Sequence, residues 1–134
     1  MYEDKFTSIS SIKGMKERTI ILDGFSKTYA MTGWRIGYGI MNEELVLRFA
    51  QLETNCESCT ATFTQIAAIE AYNGPQNETE NMVSEFKTRR DLIVDGLNDI
   101  EGLSCQKPKG SFYIFVNVTE ACRKLGFTSS KEFQ

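Results

Sequence analysis

Residues 23–39 read DGFSKTYAMTGWRIGYG, and the fold of the chain turns on how this stretch is understood. It follows the apolar run Thr19-Ile20-Ile21-Leu22, sets one lysine, Lys27, among small residues, and places Arg35 eight positions later with glycines on both sides. An ordinary surface lysine makes no such demand on its neighbours. The run 19–22 and the glycine-thinned run 36–41 (Ile36-Gly37-Tyr38-Gly39-Ile40-Met41) both predict short buried strands. Between them, a turn built from Gly24, Ser26 and Gly33 lets backbone N–H groups and a small hydroxyl approach an anion, while Lys27 and Arg35 supply positive charge. Phosphate suits that chemistry. A nucleotide P-loop is excluded because it needs glycines where Ile21 and Ser26 stand, and a dinucleotide fingerprint is excluded by the spacing of Gly33, Gly37 and Gly39.

Outward from the motif the pattern becomes helical. Asn42 is placed to cap a helix with Glu43 and Glu44 in its first turn, and Leu45, Phe49 and Leu52 recur at helical spacing. A second helix is predicted over 61–72, with Phe63, Ile66, Ala67 and Ala71 (or Ile69) as its apolar stripe, ending at Asn73-Gly74-Pro75. That break divides the chain into expected units 1–75 and 76–134. Residues 77–100 predict a long connecting helix with Met82, Val83, Phe86, Ile93 and Leu97 on one side. Glu85, Lys87, Arg89, Arg90 and Asp91 fall largely on the other. Leu103-Ser104-Cys105, a turn at 107–110, and the alternating run 111–118 predict a hairpin-like pair of strands. Ser129 and Glu132 form a capping box so near Gln134 that the chain reads as cut inside a helix.

Composition narrows the class. The 134 residues are 41% hydrophobic and 25% charged, enough for one soluble domain with its own core. Eighteen acids against fifteen bases give a net charge of −3 with no basic stripe, which argues against a nucleic-acid surface. No apolar stretch approaches the roughly 20 residues of a membrane helix, and Met1-Tyr2-Glu3-Asp4-Lys5 has no signal h-region, so a cytoplasmic chain is expected. Cys56 and Cys59 have the spacing of half a zinc site or a redox pair, but the chain has no histidine, and Cys105 and Cys122 form no second close pair. No metal site is expected, and all four cysteines read as reduced structural thiols.

A lysine held beside a phosphate site, shielded from water and near other positive charge, is a nucleophile toward carbonyls. Pyridoxal 5′-phosphate (PLP) brings both a phosphate and an aldehyde. Taken alone, Lys27 still reads as a solvated side chain, but the combined string does not: Gly24-Phe25-Ser26-Lys27, then Ala30-Met31, Gly33 and Arg35-Ile36-Gly37, resembles the PLP-attachment signature of class I/II aminotransferases. The run SKTYAMTGWRIGY (26–38) is similar to the aspartate aminotransferase-like branch. NCESCTATFTQ (55–65), Gly74-Pro75-Gln76 and KPKGSFY (107–113) also resemble segments of that family, in the same order.

The resemblance implies an α/β fold: part of a fold-type I PLP transferase, comprising the C-terminal part of the large domain, a connecting helix and the beginning of the small α+β domain. It implies that Lys27 condenses with the cofactor aldehyde and moves the substrate proton, that Arg35 grips the phosphate, and that Ser26 contacts it through its hydroxyl. Gly24 stands where some members have a second phosphate-contacting serine. Amino-acid and 2-oxo-acid substrates and self-association, as a homodimer or otherwise, are implied as well. The family's chains are considerably longer, and the residues that stack on the pyridine ring, pair with its nitrogen and hold the substrate carboxylate are expected outside residues 1–134. A folded piece without turnover therefore remains an alternative, as does another PLP-dependent reaction at the α-carbon, by a lyase or a decarboxylase.

Overall fold

The computed structural model describes all of residues 1–134. In chain order it contains β1 (Ile21–Gly24), β2 (Gly37–Ile40), α1 (Glu43–Cys56), α2 (Thr62–Asn73), α3 (Asn77–Asn98), β3 (Ser104–Cys105), β4 (Val116–Asn117), α4 (Thr119–Leu125) and α5 (Ser130–Phe133). Short 3-10 turns lie at Ile9–Ser11, Lys16–Arg18 and Thr32–Trp34. The chain forms two compact units: Thr7–Thr79, and Met1–Phe6 together with Glu80–Gln134.

In the unit Thr7–Thr79, β1 and β2 pair antiparallel with Ile21 opposite Ile40 and Gly24 opposite Gly37. The glycines at that last rung fit each other: a Cβ on Gly24 would lie 3.3 Å from the Ile36 carbonyl oxygen, and one on Gly37 would lie 3.1 Å from the Asp23 carbonyl oxygen. β2 falls inside the predicted run 36–41, whereas β1 starts two residues later than the run 19–22 and continues through Asp23 and Gly24, and neither strand is buried. Leu22 is 76% exposed, and Ile40 is exposed as well. A two-stranded ribbon has two faces, and this one is covered only where Phe25, Met31 and Ala68 meet, with Tyr29, Ile36, Tyr38, Ala67 and Ala71 packed around them.

The Asn42 cap forms as expected, its Oδ1 accepting from Leu45 N at 2.9 Å. Helix α2 also forms, and of its predicted stripe Ala67 and Ala71 pack on the core while the large members do not. Its buried residues are Thr64 and Ala68, whereas Phe63 is 71% exposed and Ile66 and Ile69 are exposed too. Close approach to the aromatic core favours the small residues of the helix over the large ones. The helix stops at Gly74, whose φ of −77° any residue adopts. What requires glycine there is space, because a Cβ would fall 2.6 Å from the Glu70 carbonyl oxygen and 2.5 Å from its Oε1.

In the other unit the main correction concerns Arg90. Helical periodicity puts it on the polar face of α3, yet it is only 3% exposed. Its guanidinium lies 4.7 Å from the centre of the Tyr2 ring, Nη1 donates to the Pro108 carbonyl at 2.8 Å, and Nη2 sits 2.8 Å from both Glu3 Oε1 and Asp91 Oδ1. A buried cation needs such partners. Lys107 reaches Asp91 of α3 at 2.7 Å and Lys109 reaches Asp4 at 3.0 Å, so charge ties the 107–110 turn to α3 and to the first residues of the chain.

The predicted hairpin is present in short form, with Ser104 opposite Asn117 and Cys105 opposite Val116. Ser111 is left-handed (φ 67°), which keeps 111–115 out of the ladder, and Phe115 points away, 96% exposed. Gly102 (φ 88°) needs its missing side chain twice, for its conformation and because a Cβ would sit 3.1 Å from Ala121 N. The capping box at the end of the chain is made: Ser129 Oγ accepts from Glu132 N at 3.3 Å, and Glu132 Oε2 accepts from Thr128 N at 2.8 Å.

Two outcomes follow from this packing. The hydrogen bond to Arg90 holds the Glu3 carboxyl below its ordinary range, and that to Lys107 does the same for Asp91. A depressed folded pKa means stability that is present at neutral pH and lost as protons are forced on, so urea midpoints should fall as the pH drops from about 5 to about 3. Glu3→Gln should flatten that fall; an unchanged slope would contradict the role of the cluster. Second, Gly74→Ala should destabilise by about 1–3 kcal/mol, because the Glu70 backbone cannot move aside. Gly96→Ala, where a Cβ meets nothing within 4 Å, should stabilise α3 by up to about 1 kcal/mol in the same urea titration.

Candidate functional site

The site is built on what joins β1 to β2. Phe25 follows β1 directly and is 3% exposed, its ring centre 5.0 Å from that of Tyr72, 5.6 Å from Tyr29 and 5.7 Å from Tyr38. Six residues later Met31 is buried against the same cluster. Between these anchors the chain makes one turn, with Tyr29 N donating to the Phe25 carbonyl at 3.1 Å and Ala30 N to the Lys27 carbonyl at 3.4 Å. Ser26 is half-buried on that turn and Lys27 is exposed. The shielding from water that the sequence leads one to expect around Lys27 is therefore not supplied within these residues.

Beyond Met31 the 3-10 turn Thr32–Trp34 ends at Arg35, which is left-handed (φ 52°, ψ 56°). Its Nη1 donates to the Thr32 carbonyl at 2.9 Å, fixing the head of an otherwise mobile side chain. Ala30 is left-handed too (φ 54°). Such a conformation costs a residue with a Cβ roughly 1 kcal/mol, and strain of this kind gathers at ligand sites.

Both strained residues line one hollow of about 610 Å³. Ala30, Gly33, Trp34 and Arg35 form one side and Cys59, Thr60, Ala61, Phe63 and Thr64 the other. Trp34 and Phe63 face each other there at 6.5 Å between ring centres. Arg35 is the only charged residue of the lining, no carboxylate is present, and two threonines add hydroxyls. That set favours an anion.

Of the three residues singled out in the sequence, Arg35 lies in the wall of this hollow, while Ser26 and Lys27 lie on the turn that leads to it and outside its lining. Gly33 lines it, whereas Gly24 serves the strand pairing. Thr60 and Thr64 escaped notice as site residues. Their only sequence signal is the 55–65 segment, and helical periodicity there draws the eye to Phe63. A neighbouring hollow of about 440 Å³ is lined by the Phe25, Tyr38 and Tyr72 rings with Thr60 and Gln65. In it Tyr38 and Tyr72 share a short hydroxyl contact, which, with burial and Asp23, pushes the Tyr38 phenol well above its usual range.

Another hollow, about 1050 Å³, lies in the other unit, along 104–109, 113–115 and Asn117. Its two lysines, Lys107 and Lys109, are held by Asp91 and Asp4, so it offers no committed anion site. No group of three or more histidine, cysteine, aspartate or glutamate side chains is placed to hold a metal. No helix is long and apolar enough to cross a membrane.

All of residues 1–134 match the sequence model of the family "Aminotransferase class I and II". The chain belongs to that family. It is 43% identical over 119 residues to an aspartate aminotransferase of Bacillus sp. (strain YM-2), covering 89% of this chain and 30% of that protein. It is 40% identical over 130 residues to an aspartate aminotransferase of Bacillus subtilis (strain 168), covering 96% of this chain and 33% of the relative.

Among solved structures, the aspartate aminotransferase from Rhizobium meliloti superposes with a TM-score of 0.85 at 40% identity, over 90% of this chain and 30% of that one. An aromatic aminotransferase from Pyrococcus horikoshii OT3 superposes with a TM-score of 0.86 at 40% identity, over 98% of this chain and 35% of that one. The fold is thus part of the fold-type I aminotransferase architecture, and the chain spans about a third of the length of the relatives it matches.

The chemistry of the hollow is directly measurable, because Trp34 is the only tryptophan of the chain and lines it. Inorganic phosphate should change Trp34 fluorescence saturably. Arg35→Ala should weaken that binding about tenfold or more, the worth of a charge-assisted hydrogen bond. A response that Arg35→Ala leaves unchanged would remove the hollow from the argument.

Proposed function

We propose that this chain supplies the lysine-bearing part of a PLP-dependent enzyme that transfers an amino group between an amino acid and a 2-oxo acid, with aspartate aminotransferase-like substrates. The observation that carries the reading is the junction of two features. The Lys27 turn is pinned at both ends by Phe25 and Met31, and it runs directly into a hollow whose only charge is Arg35. The relatives called aspartate aminotransferases support the substrate class.

The residues present fit the cofactor's phosphate. Arg35 offers a planar guanidinium already oriented by Thr32, Thr60 and Thr64 offer hydroxyls, and no carboxylate opposes an anion. When bound, PLP supplies an aldehyde and a ring that accepts electrons from the substrate's α-carbon. Arg35 then anchors the phosphate, and Ser26 contributes a hydroxyl from the adjoining turn. Lys27 Nζ would hold the cofactor through its aldehyde carbon and would take the proton from the substrate Cα. A homodimer or other self-association accompanies this reading, since many large apolar side chains of α1 and α2 are exposed.

For residues 1–134 alone, one observation favours binding without turnover: Lys27 is exposed and outside the lining of the Arg35 hollow. Borohydride reduction of the purified chain with PLP, followed by peptide mapping, tests both readings. The expected result is a single trapped adduct on Lys27, absent in Lys27→Ala, with no amino transfer from aspartate to 2-oxoglutarate by the chain alone. Label spread evenly over surface lysines would overturn the assignment of Lys27, and turnover by the chain alone would overturn the second reading.

A further inference from the structure

The four cysteines do not share one environment. Cys122 is buried and Cys105 half-buried, as structural thiols should be, but Cys56 and Cys59 are both exposed. Packing therefore gives no account of the pair whose spacing stood out in the sequence. Cys56 is the last residue of α1. Immediately after it, Glu57 N and Ser58 N both close onto the Glu53 carbonyl, at 2.8 and 2.9 Å, and Ser58 turns left-handed with φ 70°. The chain thus bends between the two thiols instead of running on extended. Closing a disulfide across Cys56 and Cys59 requires their Cα atoms to come within roughly 4.4–6.8 Å, a separation that residues three apart reach when the chain between them turns. Cys59 also lines the hollow whose only charge is Arg35, so a reagent carrying carboxylates is drawn to that thiol before the other.

We propose that Cys56 and Cys59 form an accessible dithiol, oxidised to an intrachain disulfide by a small organic disulfide that bears carboxylates. The Cys59 thiolate attacks one sulfur of the reagent, breaking its S–S bond and releasing one thiol. The Cys56 thiolate then attacks the Cys59 sulfur, releasing the second thiol and closing the bridge. The protein loses two protons and two electrons, and the reagent is reduced to two thiols. Reduction by excess thiol reverses both steps. The site needs no cofactor, and its test is independent of whether the chain binds PLP.

The purified chain is incubated with glutathione disulfide, blocked with an alkylating agent and mapped by mass spectrometry. The expected product has lost two hydrogens and two alkylatable thiols, with the bridge between Cys56 and Cys59. Cys56→Ser should stop at a mixed disulfide on Cys59. Phenylarsine oxide, which clamps two nearby thiols, should bind the reduced chain one to one and fail to bind Cys59→Ser. Both substitutions are at exposed positions and leave the core untouched. A stable mixed disulfide on the unsubstituted chain, a bridge to Cys105 or Cys122, no reaction, or arsenical binding that survives Cys59→Ser would each overturn the proposal.

Discussion

The burial of Phe25 is the constraint on which the site depends. It sits at the end of β1, one residue before Ser26 and two before Lys27, and it is the most deeply buried apolar side chain of its unit. Burying a ring of that size contributes about 1.5–3 kcal/mol, with a further contribution from its tilted contacts to Tyr29, Tyr38 and Tyr72. With Met31 anchored in the same cluster, the intervening turn has few ways to lie. The Gly24–Gly37 rung fixes the other side of the loop, since neither position has room for a side chain without displacing backbone. Lys27 and Arg35 are thus presented by one closed loop, anchored at Phe25 and Met31 and exposed at Lys27.

Little else in that unit is buried. Phe63, Ile66 and Ile69 of α2 and Leu47, Phe49 and Leu52 of α1 all face outward. Exposed apolar faces of this extent mark surfaces made to meet other protein. Relatives about three times as long as this chain, and the self-association proposed for it, both supply such surroundings. The same view fits an exposed Lys27, around which residues 1–134 supply no water-excluding surroundings.

Local signals were legible in the sequence. Asn42, Gly74 and Ser129 mark helix ends through caps or steric room within a few residues, and each ends or starts a helix where expected. The motif around Lys27 was legible because many fixed positions fall within 14 residues (24–37). What failed depended on partners distant in sequence. Nothing near Arg90 reveals that Tyr2, Glu3 and Pro108 will enclose it. The apolar runs of β1 and β2 predict strands but not the number of layers covering them. The stripe of α2 is right at Ala67 and Ala71 and differs at its large members, because packing against aromatic rings selects Thr64 and Ala68 over Phe63 and Ile66.

The most direct measurement is a crystal structure of the chain grown with PLP. Continuous density is expected from Lys27 Nζ to the aldehyde carbon of the cofactor, with the phosphate against the Arg35 guanidinium and the Thr60 and Thr64 hydroxyls. Cofactor attached to another lysine, or a phosphate seated away from Arg35, would contradict that expectation.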